Sequence, residues 1–132
     1  MAVSSTSNKI ENDLKILEYR DTGKITYEST VTENNSSDGV TNYVFCAGTF
    51  CHLFMDFTVK GTAISGGTSI ATIPEKFRPE TYNFACASHI WKVSGDVYVG
   101  YIYANADGRL LSFNSFEANT RYCIEVYWHR RT

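Results

Sequence analysis

Proline is scarce in this chain, with Pro74 and Pro79 its two examples. Each lacks a backbone N–H and pushes the preceding residue toward extended geometry, so together they stiffen one connection that ends one strand block and begins another. Long apolar runs are missing too. No segment approaches the span of a membrane helix, and Met1 to Asn8 is small and polar, without the apolar stretch of a signal peptide. The expectation is a product made in a cytoplasm, with no membrane insertion. Nor is there an excess of basic charge. Lys and Arg number 12 against 14 Asp and Glu, for a net charge of -2 and a pI near 5.9. That leaves no field to hold a phosphate backbone and argues against nucleic acid as a partner.

The spacings that carry chemistry are also absent. His52, His89 and His129 lie far apart, no His-x-x-x-His or Glu-x-x-His occurs, and there is neither a Gly-x-Ser-x-Gly elbow nor a glycine-rich cradle for phosphate. Cys46, Cys51, Cys86 and Cys123 lack the paired close spacing of a zinc site. They fall inside apolar strand patterns and are expected as buried reduced thiols. One exception stays open: a turn at Gly48-Thr49 would set Cys46 against Cys51 across two strands, where they could pair. Asp56, Asp96 and Glu125 could supply two carboxylates for glycoside hydrolysis, but β-proteins commonly carry as many. The expectation is binding without catalysis, with no metal and no cofactor.

What the chain has in quantity is aromatic surface: nine Tyr, eight Phe and two Trp, within a hydrophobic content of 43%. Such residues favour pleated strands and contact faces, and this length supports one core. The fold class expected is all-β, antiparallel. A different pattern occupies the start. Val3, Ser7, Ile10, Leu14 and Leu17 follow the a/d spacing of a short coiled coil, so residues 1–22 are read as a helical neck ended by Gly23, and residues 23–132 as the β domain. The same spacing also suits a helix lying on its own domain or an unstructured leader.

Turn signals divide the remainder into strands. Lys24 to Thr32 alternates, with Ile25, Tyr27, Ser29 and Val31 on one face, and Glu33 to Gly39 makes a loop. A hairpin at Gly48-Thr49 would place Val40, Val44, Cys46, Cys51, Leu53, Met55, Phe57 and Val59 on a single face. A Ser94-Gly95 turn would pair Trp91 with Tyr98, Ile90 with Val99, His89 with Gly100 and Ser88 with Tyr101. Asp107-Gly108 reads as a two-residue turn. The last strand, Arg121 to His129, alternates Tyr122, Ile124, Val126 and Trp128 inward against Glu125, Tyr127 and His129 outward. Both faces of the central hairpins come out largely apolar, which predicts a sheet covered once by its own domain and once by another subunit.

The two prolines bracket Ile70-Ala-Thr-Ile-Pro-Glu-Lys-Phe-Arg-Pro-Glu-Thr-Tyr82. A strand, this Pro-x-x-Phe-Arg-Pro connection, two hairpins and a closing aromatic strand resemble the C-terminal head domain of phage tail-fibre and baseplate receptor-binding proteins. Such proteins occur in phages of Gram-positive bacteria, and the resemblance spans roughly residues 40 to 129. It implies a jelly-roll-like β-sandwich or barrel, assembled as a homotrimer on the neck. It further implies attachment to other tail or baseplate proteins through that neck, a place in the virion, and adsorption to bacterial cell-wall saccharide.

A saccharide site needs a flat ring to stack on the sugar, with donors and acceptors beside it. Trp91, with Tyr98 expected cross-strand and His89 near, provides that grouping, and Asp96 and Lys92 flank the turn. The alternative is a cross-strand aromatic pair packed in the core or between subunits. Arg78, between Phe77 and Pro79, either anchors a neighbouring subunit or reads a phosphorylated wall polymer. Tyr127 and His129 are further candidates. Three rival functions remain: a purely structural fibre or baseplate module, a small glycan-cleaving enzyme, and a trimeric jelly roll of the tumour necrosis factor type.

Overall fold

The computed structural model describes residues 21–81, 83–93 and 97–131, and of 83–89 and 97–100 the backbone alone. The neck expected over 1–22 therefore lies outside the described residues except at Asp21 and Thr22, which are already strand. Among the described residues, ten strands follow in order: β1 (Asp21–Lys24), β2 (Thr26–Tyr27), β3 (Val31–Glu33), β4 (Tyr43–Ala47), β5 (Phe50–Val59), β6 (Ser69–Thr72), β7 (Asn83–Lys92), β8 (Val97–Ala104), β9 (Arg109–Ser112) and β10 (Arg121–His129). Every pairing is antiparallel. The lateral order is β1-β4-β5-β10-β7-β8-β9-β6-β2, with β3 paired to the far half of β5. The two ends of that path, β1 and β2, are separated in sequence by Ile25 alone, which is buried.

Alternation explains the centre of the sheet. In β10, Tyr122, Ile124, Val126 and Trp128 are all buried, while Glu125, Tyr127 and His129 stand on the other side. In β5, Cys51, Leu53, Met55, Phe57 and Val59 are all 0% exposed. The β4–β5 hairpin turns at Gly48-Thr49 as expected, with Ala47 opposite Phe50. Gly48 has φ +61 at the first turn position, the geometry that matches strand twist in a two-residue turn.

Val40 departs from its expected face and is 57% exposed. The reason is local: the Asp38 carboxylate accepts the N–H groups of Val40 and Thr41 at 2.9 and 2.8 Å and the Thr41 hydroxyl at 2.6 Å, folding a turn where a strand was expected. The run from Lys24 to Thr32 is likewise not one strand. Its pieces pair with β4, β6 and β5 in turn, three separate partners that local alternation cannot reveal.

Gly23 does not end a helix; it lies inside β1. A Cβ there would come within 2.5 Å of the Phe77 ring, so glycine is what lets that ring pass against the strand. Phe77 belongs to the proline connection. Pro74 leads into a single 3₁₀ turn, Glu75–Phe77, and Phe77 is fully buried. Trp128 donates its indole N–H to the Phe77 carbonyl at 2.6 Å, fastening the connection beneath β10.

Two registers differ from expectation. Trp91 lies opposite Val97, Ile90 opposite Tyr98, His89 opposite Val99 and Ser88 opposite Gly100, with a bulge between Ala85 and Ala87. An odd number of residues separates the paired positions, which a two-residue Ser94-Gly95 turn cannot supply. The slip by one exchanges faces. Ile90, Ile102 and Ala104 are on the buried side, and Trp91 stands on the other with Tyr101 and Tyr103. The second case is Asp107-Gly108. Gly108 N–H bonds to Asn105 O at 2.9 Å and Asn105 N–H to Arg109 O at 3.0 Å, so the loop has three residues, closed by Gly108 at φ +91.

Cys46 and Cys51 are joined in a disulfide, contrary to the expectation of reduced thiols. They are directly opposite across the hairpin, and their Cα atoms are 4.3 Å apart. Cys123 is a free, buried thiol as expected. Burial first, and then Asp56, push its pKa up to about 11, which makes it a poor nucleophile near neutral pH.

Candidate functional site

The side of β5 and β10 turned away from the core carries rings in register. On β5 these are Phe50, His52 and Phe54; on β10 their partners are His129, Tyr127 and Glu125. His52 and Tyr127 stack with centroids 4.7 Å apart and planes inclined by 17°, and Phe50 stacks on Tyr127 at 5.8 Å. Phe50 also meets the His129 ring edge-on at 5.7 Å. Reaching over β10 from β7, Trp91 lies 5.5 Å from Phe54. Farther along the sheet, Phe113 makes edge contacts with Tyr101 and Tyr103 at 5.8 and 5.7 Å. Phe50, Tyr101 and Phe113 are 45%, 42% and 54% exposed, so this aromatic surface is open at both ends.

Polar groups are sparse and placed. Tyr127 donates its hydroxyl to Glu125 Oε2 at 3.1 Å, in the row beside Phe54. A cleft of 300 Å³ opens between Val40, Phe45, His52 and Phe54. His52 Nε2 is buried there without a hydrogen-bond partner among the described residues. Burial lowers the His52 pKa below its usual 6.5, with Glu125 opposing more weakly. The sign follows: above about pH 6.5 the ring is neutral whether folded or unfolded, and below it the unfolded chain takes up the proton more readily. Stability is therefore lost as pH falls through that value. Denaturant titrations from pH 8 to 5 are expected to show a shallower pH dependence for His52→Gln than for the parent, and parallel curves would remove this assignment.

The six expected site residues are distributed as follows. Trp91 lies on the aromatic face, half-buried, with Phe54 as its ring partner. Tyr98 is not cross-strand from Trp91; its backbone lies opposite Ile90, and that of His89 opposite Val99. Asp96 is outside the described residues. Lys92 has the opposite parity to Trp91, pairs with Tyr122 and forms an ion pair with Glu117 at 2.9 Å. It lines a separate shallow cleft with Asn114, Ser115, Glu117 and Tyr122. Arg78 donates Nε to the Ile73 carbonyl at 3.0 Å, bracing its own connection beside Gly108.

Phe45, Phe50, His52 and Phe54 were not singled out from sequence. Their signal was present, because they are the outward positions once the inward set of β4 and β5 is fixed. Comparison with protein-family models, curated proteins and solved structures finds no match to this chain.

Proposed function

We propose that the protein is the head of a phage receptor-binding or tail-tip protein that holds bacterial cell-surface saccharide on the aromatic face of β5, β10 and β7, without chemistry. The observation that carries this reading is the row of part-exposed rings, Trp91 and Phe54 above all, flanked by the Glu125–Tyr127 pair. Pyranose rings stack on such surfaces through their C–H faces, and the carboxylate and hydroxyl suit sugar hydroxyl groups. In this reading the curled sheet is a jelly-roll-like sandwich or barrel, three copies assemble on a helical neck, and weak individual contacts gain strength from three identical sites. The Cys46–Cys51 bond supports a protein that works outside a reducing cytoplasm.

Retention on immobilised wall polysaccharide tests the proposal. The parent protein is expected to be retained, and Trp91→Ala and Phe54→Ala each to weaken retention about fivefold, for ~1 kcal/mol of stacking per ring, without loss of the cooperative melt. Failure of the parent to bind, or unchanged retention in both variants, would favour a purely structural trimerising module. New reducing ends after incubation with the polysaccharide would instead indicate a glycan-cleaving enzyme.

A further inference from the structure

A second concave surface lies at the end of the sheet where the β4–β5 turn meets the residues after β10. Gly48, Thr49, Lys76, Arg130 and Arg131 line this cleft of 360 Å³. The sequence scatters them over three segments, and the fold gathers them by specific bonds. Arg130 donates its backbone N–H to Thr49 O at 2.7 Å and its Nε to Gly48 O at 2.8 Å. Lys76 extends from the 3₁₀ turn after Pro74. Its ammonium lies 4.9 Å from the centroid of the Phe77 ring, and the Arg130 guanidinium lies 5.8 Å from the same ring. One buried aromatic thus underlies two cations.

A carboxylate is already held by this arrangement. Asp21 Oδ2 accepts from Arg130 at 2.9 Å and Oδ1 from Lys76 at 3.3 Å, and the Arg130 bond, then that of Lys76, lowers the Asp21 pKa. Arg131 also lines the cleft, so among the described residues three cationic residues gather there around a carboxylate that pairs with two of them, in a chain whose net charge is -2. Two arginines and a lysine lining one cleft suit an acceptor with several oxygens better than the two of a carboxylate.

We propose that this cleft is a binding site for a phosphoryl oxyanion, either inorganic phosphate or a phosphate ester carried on a sugar. It is separate from the aromatic face and does not depend on it, although the Gly48-Thr49 turn stands between them: Thr49 Oγ1 lies 3.1 Å from Nδ1 of His129. Lys76, Arg131 and the remaining guanidinium nitrogen of Arg130 take the anion's oxygens. Asp21 keeps the cluster ordered and competes with the ligand.

Line broadening in phosphorus NMR, measured on the full chain at constant ionic strength, reads this directly. Inorganic phosphate and glucose 6-phosphate serve as probes. Saturable broadening is expected with at least one of them; tighter binding of the sugar phosphate assigns the site to an ester, and equal binding assigns it to the free anion. Lys76→Gln and Arg131→Gln, both at exposed positions, are each expected to weaken binding about tenfold, and Asp21→Asn to tighten it. Lys60→Gln removes an exposed positive charge elsewhere and is expected to change nothing. Lack of saturation in the parent, an unaltered affinity in the Lys76→Gln/Arg131→Gln double variant, or an equal effect of Lys60→Gln would overturn the proposal.

Discussion

Trp128→Ala is expected to lower the free energy of unfolding by about 3–5 kcal/mol, a large part of the roughly 5–15 kcal/mol available to a domain of this size. Trp128 is 2% exposed, sits opposite Cys51 on the buried side of β10, and bonds through its indole N–H to the Phe77 carbonyl. Truncation opens a cavity the width of a bicyclic ring, and it leaves that carbonyl without its donor. Trp128→Phe separates the two losses, since a phenyl ring keeps much of the packing and only the donor disappears. It should cost about 1–3 kcal/mol. Urea titrations of the three proteins would show falling midpoints at constant slope. A loss under ~1 kcal/mol for the alanine variant would mean that the proline connection does not depend on β10 for its position.

Arg121→Met has an expected cost of similar size, about 3 kcal/mol, for a different reason. The Arg121 guanidinium grips Asp56 through Nε at 2.9 Å and Nη2 at 2.7 Å, and the Asp56 side chain is only 4% exposed. Without the arginine, a carboxylate remains in the sheet with its charge uncompensated. Arg121 itself is 43% exposed, which places the cost at the low end of the range for buried pairs. Replacing both partners, Arg121→Met with Asp56→Leu, removes the stranded charge and should recover most of the loss. The double-mutant cycle measures the coupling, and additive losses would refute it. The bonds from Asn42 to Asp56 would survive these changes, because they use the Asp56 backbone: its N–H gives to Asn42 Oδ1 at 2.8 Å and its carbonyl accepts Asn42 Nδ2 at 3.3 Å.

The legible parts of the fold were those governed by neighbours in sequence. β10 and β5 alternate, apart from the buried Asp56–Cys123 rung, because one side of each is buried along its length, and the Gly48-Thr49 turn fixed a register that made both strands agree. Failures arose where distant contacts decide. Nothing near Gly23 announces that the ring of Phe77 will lie against it. β1, β2 and β3 look like one strand until their partners are known. The β7–β8 slip came from the spacing of the paired positions, and it exchanges the faces of the residues from Ala87 to Trp91, up to the bulge that restores the grouping of Ala85 with Ile102. The same slip governed the site. Trp91 was recognisable as a flat, strand-borne ring, but its aromatic partner proved to be Phe54, two strands away across β10, and not Tyr98. Lys76, Arg130 and Arg131 come together only after the proline connection has folded back under the end of the sheet.

One lateral row also determines how the molecule answers tension. Asp21 pairs with Cys46, Cys46 with Cys51, and Cys51 with Trp128, so four strands meet in a line whose middle rung is covalent. A pull transmitted from the N-terminal side enters at Asp21, at the end of a strand of four residues that, among the described residues, pairs with β4 alone. Those hydrogen bonds can be peeled one after another; the chain then runs through Ile25 into β2, so tension passes to its two-residue pairing with β6 while the stapled β4–β5 hairpin lies off the loaded path. Force would detach β1 first and load β2 next, so the far edge of the strand path gives way while the disulfide-closed hairpin and the rings on β5 and β10 bear none of the tension.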